Sequence, residues 1–331
     1  MVTIDARDVE RKVLAILRIL NRSSEPVGAR LIARELAALG VALTERAVRY
    51  HLQLMDERGL TVQVGREGRL ITDLGRREVA SALVTDKVGY VIARIKLLAF
   101  QTTFDPATGQ GDVVMNTAFL PERQFEGALR AMEPAFRAGL SVSDRVGLAR
   151  PGERLGGTVV PEGCIGFSTV CSVTINGVLL KAGIPMDSRF GGILELQDRR
   201  PRRFVELIHY SGSSLDPSEA FIRARMTDGA GAARTGSGRV LANFRELPAP
   251  CRPLLEELSA RLRQAGIGGL VSVGEVSEAV CEIPVDLNMC GVILLGGLNP
   301  VAAAAEAGII ADYHAMSTVL PFQTLRPVQS L

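Results

Sequence analysis

The side chains best suited to binding another molecule lie between Leu43 and Leu52, where apolar residues recur at helical spacing. Val48, Leu52 and Met55 share one face of this helix, and the opposite face is polar and basic. Arginine forks match guanine edges and phosphates, glutamine matches adenine, and tyrosine offers a hydroxyl. The pattern predicts a DNA-recognition helix, with a solvated helix of a protein-binding module as the alternative. The predicted DNA contacts are Thr44, Arg46, Arg49, Tyr50 and Gln53, together with Arg66 and Arg69 of the loop that follows.

A second polar set lies between Val170 and Gly177, where polar and apolar residues alternate as in a strand. A buried polar face needs hydrogen-bond partners, and the next segment adds two cations and several glycines. Hydroxyls, an arginine fork and backbone N–H groups are the groups that bind a dicarboxylate. The pattern therefore predicts a small-anion effector site, with a solvated edge strand as the alternative. Its predicted residues are Ser172, Thr174, Asn176, Lys181 and Arg189.

The five cysteines lack the short spacings of structural zinc sites, and they are too few for a disulfide framework. Cys171 and Cys290 lie in apolar stretches 119 residues apart, which we align as equivalent positions of an internal repeat. This setting favours small buried apolar residues at both positions. A redox- or metal-responsive DNA-binding regulator that uses these two thiols stays open as the alternative function.

Catalytic signatures are missing from the sequence. It contains no phosphate-binding loop of the G-x-x-x-x-G-K-[ST] type, no G-x-S-x-G nucleophile motif and no HExxH zinc motif. We therefore predict that the protein is not an enzyme and has no catalytic residues, no metal site and no cofactor. A bifunctional enzyme with a DNA-binding head is the alternative, and turnover of a metabolite without DNA would identify it.

The composition is that of a globular, core-forming chain of 331 residues, with 47% hydrophobic and 22% charged residues. The net charge of +2 excludes a protein that coats nucleic acid with its whole surface, but it permits one local DNA-binding module. No secretory signal is visible, and Pro300 with the Gly296 and Gly297 pair divides the apolar run Leu287–Ala311 into a strand and a helix. We therefore expect a cytoplasmic protein with no membrane partner.

The elements that would position the DNA contacts follow the order of a winged helix-turn-helix. Apolar spacing predicts three helices, a hairpin of two short apolar runs around a glycine-bearing basic loop, and a fourth helix. Together they predict a DNA-binding domain over residues 1–83. The predicted helices cover about residues 8–21, 29–39 (ended by Gly40), 44–59 and 73–83, and the predicted strands cover 60–64 and 70–72.

Residues 84–331 contain an internal repeat. Leu120-Pro121 recurs as Leu247-Pro248, and Ala138-Gly139 recurs as Ala265-Gly266, both 127 residues later. Each copy predicts alternating strands and helices, so we expect an α/β (α+β) regulatory domain made by internal duplication. The predicted fold class is multi-domain, with an N-terminal winged helix-turn-helix followed by this domain. The repeat units cover about residues 88–195 and 236–320.

The arrangement resembles the NrpR family of nitrogen-regulatory repressors over essentially the whole chain. The resemblance rests on the segment Leu43 to Leu60 and on two segments of the second domain, 163–177 (GCIGFSTVCSVTING) and 183–192 (GIPMDSRFGG). The two later segments are the more specific part, because a winged helix alone is common to many regulators.

The resemblance implies a transcriptional repressor of nitrogen-assimilation genes that binds an inverted-repeat operator in double-stranded DNA. It implies a homodimer or higher homo-oligomer. It also implies a small dicarboxylate effector, 2-oxoglutarate, that weakens DNA binding when nitrogen is scarce. Family members have one or two copies of the regulatory domain, and this chain resembles the single-copy form with its own DNA-binding head.

Overall fold

The computed structural model describes residues 6–38, 41–81 and 89–331, and the chain forms two compact units, Met1–Lys87 and Val88–Leu331. In the described residues of the first unit, four helices and one hairpin follow the order of a winged helix-turn-helix, which confirms that prediction. The elements are α1 (Ala6–Leu20), α2 (Ala29–Ala38), α3 (Glu45–Glu57), β1 (Thr61–Val64), β2 (Gly68–Ile71) and α4 (Asp73–Ser81).

The first unit has an aliphatic core to which α1, α2 and α3 contribute Ile16, Leu36 and Leu52, all fully buried. The apolar spacing of these helices predicted the burial of these side chains, because one face of each helix points into the core. The predicted helix ends differ from the observed ones by two residues or fewer where both are described. Gly40 and the predicted end of the fourth helix lie outside the described residues.

The second unit contains two five-stranded sheets, each with antiparallel neighbours, and a separate two-stranded hairpin. Its strands are β3 (Asp112–Pro121), β4 (Arg145–Ala149), β5 (Arg154–Leu155), β6 (Thr158–Val159), β7 (Cys164–Val170), β8 (Asp187–Gln197), β9 (Arg200–His209), β10 (Gly238–Pro248), β11 (Leu270–Val276), β12 (Met289–Leu295), β13 (Asp312–Pro321) and β14 (Arg326–Pro327). Its helices are α5 (Tyr90–Gln101), α6 (Phe125–Arg137), α7 (Val173–Lys181), α8 (Pro217–Arg223), α9 (Gly229–Thr235), α10 (Arg252–Gln264) and α11 (Asn299–Glu306).

The internal duplication is visible in the order of these elements. β3 and α6 recur as β10 and α10, 127 residues later, and β7, α7 and β8 recur as β12, α11 and β13, 125 residues later. Gly139 and Gly266 end α6 and α10 with positive φ angles, a backbone conformation that side chains disfavour. This requirement accounts for the glycine match in the two copies.

The two copies exchange their last strands. One sheet has the order β13-β3-β7-β4-β14, and the other has the order β11-β12-β10-β8-β9. β8 belongs to the first copy but pairs with β10 of the second, and β13 belongs to the second copy but pairs with β3 of the first. Each sheet is therefore completed by a strand from the other copy.

The hydrophobic cores follow the same exchange. Leu179 of α7 and Leu255 of α10 share one buried cluster, and Met132 of α6 and Val301 of α11 share another. Each cluster thus combines one helix from each copy with side chains from both sheets. The two copies therefore form one folded body rather than two separate ones.

The alignment of Cys171 with Cys290 is wrong. The strands β7 and β12 correspond at an offset of 125 residues, which pairs Cys171 with Gly296 and Cys290 with Ile165. Cys171 lies just after β7, whereas Cys290 lies inside β12. The identity of one residue type misled the alignment across connecting segments of different length.

The predicted strand over Val170–Gly177 is also wrong, because β7 ends at Val170 and α7 begins at Val173. Alternating polar and apolar residues normally indicate a strand with one solvated side. Here every residue from Val173 to Leu179 is buried, so both sides of the helix face protein and periodicity gives no signal. Thr174 illustrates this, since its hydroxyl contacts the backbone of Val114 instead of a cross-strand neighbour.

The apolar run 287–311 divides as predicted into β12 and α11. Among the residues that the structure describes, no helix combines the length and the apolar character needed to cross a bilayer.

Close packing of α5 against α7 leads to a first testable prediction. A Cβ atom added at Gly177 would lie 2.3 Å from Thr102 Cβ and 2.6 Å from the Ala99 carbonyl oxygen. We expect Gly177→Ala to separate the two helices and to lower the free energy of unfolding by about 1–3 kcal/mol. Denaturant unfolding measures this, with Gly157→Ala as the control, since its added Cβ would meet nothing within 4 Å. Equal stability of the two variants would contradict the prediction.

Candidate functional site

The first candidate interface is the outward face of α3. Thr44 lies at the N-cap of this helix, where its hydroxyl oxygen accepts a hydrogen bond from the Ala47 backbone N–H at 3.2 Å. The predicted DNA contacts on α3 all lie on its exposed side. Among the described residues of the first unit, Tyr50 is the most exposed large apolar residue. These exposed side chains are Arg46, Arg49, Tyr50 and Gln53.

Glu45 limits the freedom of this basic face in the absence of a ligand. Its carboxylate accepts a hydrogen bond from Arg49 Nη2 at 2.5 Å and lies 3.7 Å from Arg30 Nε. The hydrogen bond from Arg49 is the largest cause of a lowered pKa for the Glu45 carboxyl. A phosphate or a guanine edge would therefore compete with Glu45 for Arg49.

The two arginines of the wing have different environments. Arg66 is exposed at the tip of the hairpin, as a DNA contact requires. Arg69 instead donates from Nε to Asp56 of α3 at 2.7 Å, and its side chain is only 18% exposed. Its backbone also exchanges two hydrogen bonds with Val27. Arg69 thus joins the wing to the recognition helix.

This geometry predicts different roles for the two wing arginines. We expect Arg69→Ala to lower the unfolding free energy of the first unit by about 1–2 kcal/mol, because a half-buried charge-assisted hydrogen bond is lost. Arg66→Ala, the matched control, should leave stability within about 0.5 kcal/mol of the original protein. Denaturant titration monitored by far-UV circular dichroism tests both. A destabilised Arg66→Ala variant or an unaffected Arg69→Ala variant would refute this assignment.

The second candidate site is a small polar cavity inside the second unit. Its volume is about 20 Å³, which suffices for about one water molecule. The chain bends that follow β7 and β12 meet here, and both α7 and α11 begin at this point. The lining residues are Ile95, Asn116, Cys171, Ser172, Val173, Tyr210, Asp216, Ser218, Asn243, Arg245, Gly296, Gly297, Leu298, Ala315 and Met316.

The cavity lies between equivalent parts of the two repeat copies. Asn116 of β3 and Asn243 of β10 occupy matching positions, and both line it. Asn116 accepts a hydrogen bond from the Met316 backbone N–H at 3.0 Å. Asn243 accepts a hydrogen bond from the Tyr210 hydroxyl and donates one to Ser172 Oγ at 3.2 Å. The duplication therefore brings two amides to one point, each fixed by neighbours.

Arg245 is the most unusual residue of the cavity wall. Arg245 is only 1% exposed, and this burial lowers the pKa of its guanidinium. It donates from Nη2 to Ser172 Oγ at 3.0 Å and from Nη1 to the Ser172 carbonyl oxygen at 3.3 Å. Its Nε is buried without a hydrogen-bond partner. Among the described residues, no carboxylate forms an ion pair with this guanidinium.

A buried arginine without a counter-charge is energetically costly, because its lost hydration is not offset by an anion. Arginine stays protonated in proteins, so deprotonation does not remove the cost. An anionic ligand in the cavity would supply the missing charge and pair with the guanidinium fork. The arrangement is therefore suited to binding a carboxylate or another small anion.

Asp216 brings an acidic group to the same wall. It precedes α8, where Oδ1 accepts a hydrogen bond from the Ser218 backbone N–H at 2.8 Å. Burial and the nearby charge of Glu219 raise the pKa of the Asp216 carboxyl to about 6. Burial also raises the pKa of the Tyr210 phenol, which therefore stays protonated as a hydrogen-bond donor.

The structure does not bring the five predicted effector residues together. Ser172 lines the cavity, as its prediction requires. Thr174 and Asn176 lie on buried faces of α7, where Thr174 contacts the backbone of Val114 and Asn176 donates to Ser188 Oγ at 3.0 Å. Neither is among the residues that line the cavity.

The two predicted cations lie outside the cavity wall as well. Lys181 donates from Nζ to the Phe100 carbonyl oxygen at 3.1 Å at an exposed site. Arg189 Nη1 lies 3.1 Å from Asp286, 3.3 Å from Asp187 and 3.5 Å from Glu246. Three carboxylates already surround this guanidinium, so its charge is compensated within the protein.

The two cysteines considered for redox or metal sensing are both buried. Burial raises the pKa of the Cys171 thiol to about 11 and also raises the pKa of the Cys290 thiol. Protonated buried thiols react slowly with oxidants and are poor metal ligands. Within the part of the chain that the structure describes, no cluster of three or more histidine, cysteine or acidic side chains is arranged to hold a metal ion.

Sequence reasoning missed Arg245, Asn243, Asn116, Tyr210 and Asp216. A signal for two of them was present, because Asn243 and Arg245, together with Glu246, interrupt the apolar residues of strand β10. A charged residue in a buried strand is rare unless a partner or a function requires it. Asn116 and Asn243 also match at the repeat offset of 127 residues.

Comparison with known families gives matches to both units. A family described as NrpR regulatory domains NRD1 and 2 matches residues 88–327. A family described as the ribonuclease R winged-helix domain matches residues 14–79.

Curated relatives match nearly the full chain. It is 39% identical over 320 residues to the Global nitrogen regulator NrpRI of Methanosarcina mazei, covering 97% of this chain and 98% of that protein. It is 33% identical over 322 residues to the Global nitrogen regulator NrpR of Methanocaldococcus jannaschii, covering 97% of this chain and 56% of that protein.

A solved structure matches as well. The crystal structure of a nitrogen repressor-like protein from Methanococcus jannaschii is similar with a TM-score of 0.61 and 31% identity, covering 72% of this chain and 98% of that one.

Proposed function

Because this chain belongs to the NrpR family of nitrogen regulators, we propose that it represses nitrogen-assimilation genes by binding an inverted-repeat DNA operator. It acts as a homodimer or higher homo-oligomer in the cytoplasm, as a regulator rather than an enzyme. 2-Oxoglutarate, a small dicarboxylate, releases it from the operator.

The exposed face of α3 supports DNA binding. Arg46, Arg49 and Gln53 project from one side of the capped helix α3, as major-groove recognition requires. Arg66 at the wing tip adds a cation beside this face, suited to the phosphate backbone. In a twofold-symmetric dimer, two such helices would contact half-sites about 34–36 Å apart, or a multiple of that distance.

The single observation that most supports an anionic effector is the uncompensated charge of Arg245 in the cavity wall. Ser172, Asn243 and Tyr210 surround it with hydrogen-bonding groups whose positions are fixed by one another. Such a set offers one fork for a carboxylate and neutral groups for further oxygens. A dicarboxylate with a keto oxygen matches these groups.

The small size of the cavity supports an allosteric release mechanism. A five-carbon dicarboxylate does not fit into a volume of about 20 Å³, because that volume holds about one water molecule. The effector must therefore bind a form in which the cavity is wider. A ligand that prefers one conformation shifts the population towards it, and this change can weaken DNA binding.

Helix α5 connects the cavity to the segment that leads from the DNA-binding unit. Ile95 of α5 lines the cavity, and Arg94 donates from Nε to the Met316 carbonyl oxygen at 2.9 Å. Met316 belongs to β13 and lines the cavity as well. Widening of the cavity would therefore displace α5, which is the first described helix after residues 82–88.

Two measurements on the full chain test the proposal. Titration calorimetry against 2-oxoglutarate, with glutamate and succinate as controls, should show selective micromolar-to-millimolar binding. Selection from a random DNA duplex pool should yield an inverted repeat, and saturating 2-oxoglutarate should weaken its binding about 5–150-fold, equivalent to about 1–3 kcal/mol of coupling.

The effector assignment, operator binding and the release mechanism can each fail separately. A folded protein that binds none of the three acids would overturn the effector assignment and leave DNA binding intact. A selection that enriches no common sequence would overturn operator binding. Tight binding of both ligands without mutual weakening would overturn the release mechanism.

A further inference from the structure

The wall of the cavity contains opposite charges that do not neutralise each other. Arg245 and Asp216 both line it, yet they form no ion pair. One Asp216 oxygen accepts the Ser218 backbone N–H at the start of α8, and the residue is half-buried. A dianion that pairs with Arg245 would therefore lie in the same small space as a carboxyl group of its own charge.

The groups that face Asp216 come from four elements. Glu219 lies on α8, the helix that Asp216 caps; Tyr210 follows β9, Cys171 follows β7, and Arg245 belongs to β10. Glu219 adds negative charge, whereas the phenol and the thiol stay neutral at physiological pH because burial raises the pKa of each. Glu219 in turn faces His314, Arg223 and Arg94.

We propose that Asp216 takes up one proton when a dicarboxylate enters the cavity, so that the affinity for the effector rises as the pH falls. The proposal rests on the proposed function, because it concerns the same cavity and the same ligand. A protonated Asp216 removes the like charge and gains an O–H that can donate to a ligand oxygen. Asp216 thereby becomes a specificity-determining residue whose charge state selects the ligand.

The sign of the effect follows from linkage. In the free protein, Asp216 has a pKa of about 6 and is mostly ionised at pH 7. A bound dianion disfavours the ionised form and raises that pKa further, so the complex binds more protons than the free protein. Affinity should fall by up to about tenfold for each pH unit above about 6, until the pKa of the complex is passed. Below about pH 6 it should level off.

The effector itself does not titrate in this range. The carboxyl groups of 2-oxoglutarate resemble ordinary α- and side-chain carboxyls, which are ionised above about pH 6. A change of affinity between pH 6 and 8 therefore reports on the protein. Glutamate serves as a contrast, because its ammonium group would favour the ionised form of Asp216 and reverse the sign.

The test is calorimetry of the full chain against 2-oxoglutarate at pH 6, 7 and 8, repeated in two buffers of different ionisation enthalpy. The original protein should take up a fraction of a proton at pH 7 and bind about tenfold or more tightly at pH 6 than at pH 8. Asp216→Asn keeps a good helix cap and is neutral at every pH. It should bind with a pH-independent affinity and without proton uptake.

Glu219→Gln provides a second variant at a residue that does not line the cavity. Removing its charge should lower the pH at which affinity starts to fall, while proton uptake persists.

The proposal is overturned if the original protein binds 2-oxoglutarate with no proton uptake, or if Asp216→Asn retains the same pH dependence. Both results leave the proposed function standing, whereas an absence of 2-oxoglutarate binding at all three pH values overturns both.

Discussion

We expect Arg245→Met to weaken the proposed binding of 2-oxoglutarate by about 30-fold or more, while the folded protein without effector keeps its stability. Truncating one member of a buried charged hydrogen-bonded pair costs about 2–5 kcal/mol of binding free energy. In the effector-free protein, the same change removes a buried cation that has no carboxylate partner, so little stability is lost with it. Loss of affinity without loss of stability is therefore the signature of a ligand-binding cation.

Calorimetry measures the affinity, and denaturant unfolding without effector measures the stability. Arg189→Met is the matched control, because Arg189 is 36% exposed, is surrounded by carboxylates and does not line the cavity. It should keep its 2-oxoglutarate affinity within about threefold. If Arg189→Met abolished binding and Arg245→Met did not, the effector site would lie at the carboxylate cluster instead of the cavity.

Arg49→Ala reduces the affinity for the selected operator duplex by about 5–150-fold, equivalent to about 1–3 kcal/mol, if Arg49 reads a base edge. The variant also removes the Arg49 hydrogen bond to Glu45, which leaves Glu45 with Arg30 alone at 3.7 Å and more of its negative charge uncompensated beside the DNA. Both effects act in the same direction. Affinity for an unselected duplex should fall much less, because phosphate contacts remain.

Fluorescence anisotropy at several salt concentrations measures these affinities. If Arg49 contacts only a phosphate, both duplexes should lose affinity equally and the salt slope should decrease by about one. Arg77→Ala on α4 is the control, since Arg77 is also exposed and lies outside α3 and the wing. Unchanged affinity of Arg49→Ala for the selected duplex would refute the assignment of α3 as the recognition helix.

The first unit was predictable because its signals are local. Helical spacing of Val48, Leu52 and Met55, a threonine cap and glycines at turns all lie within a few residues of the features that they determine. Exposure of a side chain on α3 follows from the same spacing. The role of Arg69 was not local, because it depends on Asp56, which only the folded wing brings within 2.7 Å.

The cavity was only partly predictable, since its wall is assembled from distant segments. Ser172 was found because a polar segment stood out, but the assumed strand geometry placed Thr174 and Asn176 beside it. On the observed helix, the Thr174 side chain points to β3 and the Asn176 side chain points to β8 instead. Arg245 comes from another repeat copy 73 residues away, and no local pattern links it to Ser172.

The exchange of strands between the two copies sets the order in which the second unit can fold. β3 pairs with β13 through residues such as Val113 and Leu320, so one edge of its sheet stays open until almost the whole chain is available. Closing so long a loop is entropically costly and slows folding. Until then, the free edge of β3 is a site for mispairing with other chains. Since Ala315 and Met316 of β13 line the cavity, a chain truncated before this strand would lack both a closed sheet and a complete cavity wall.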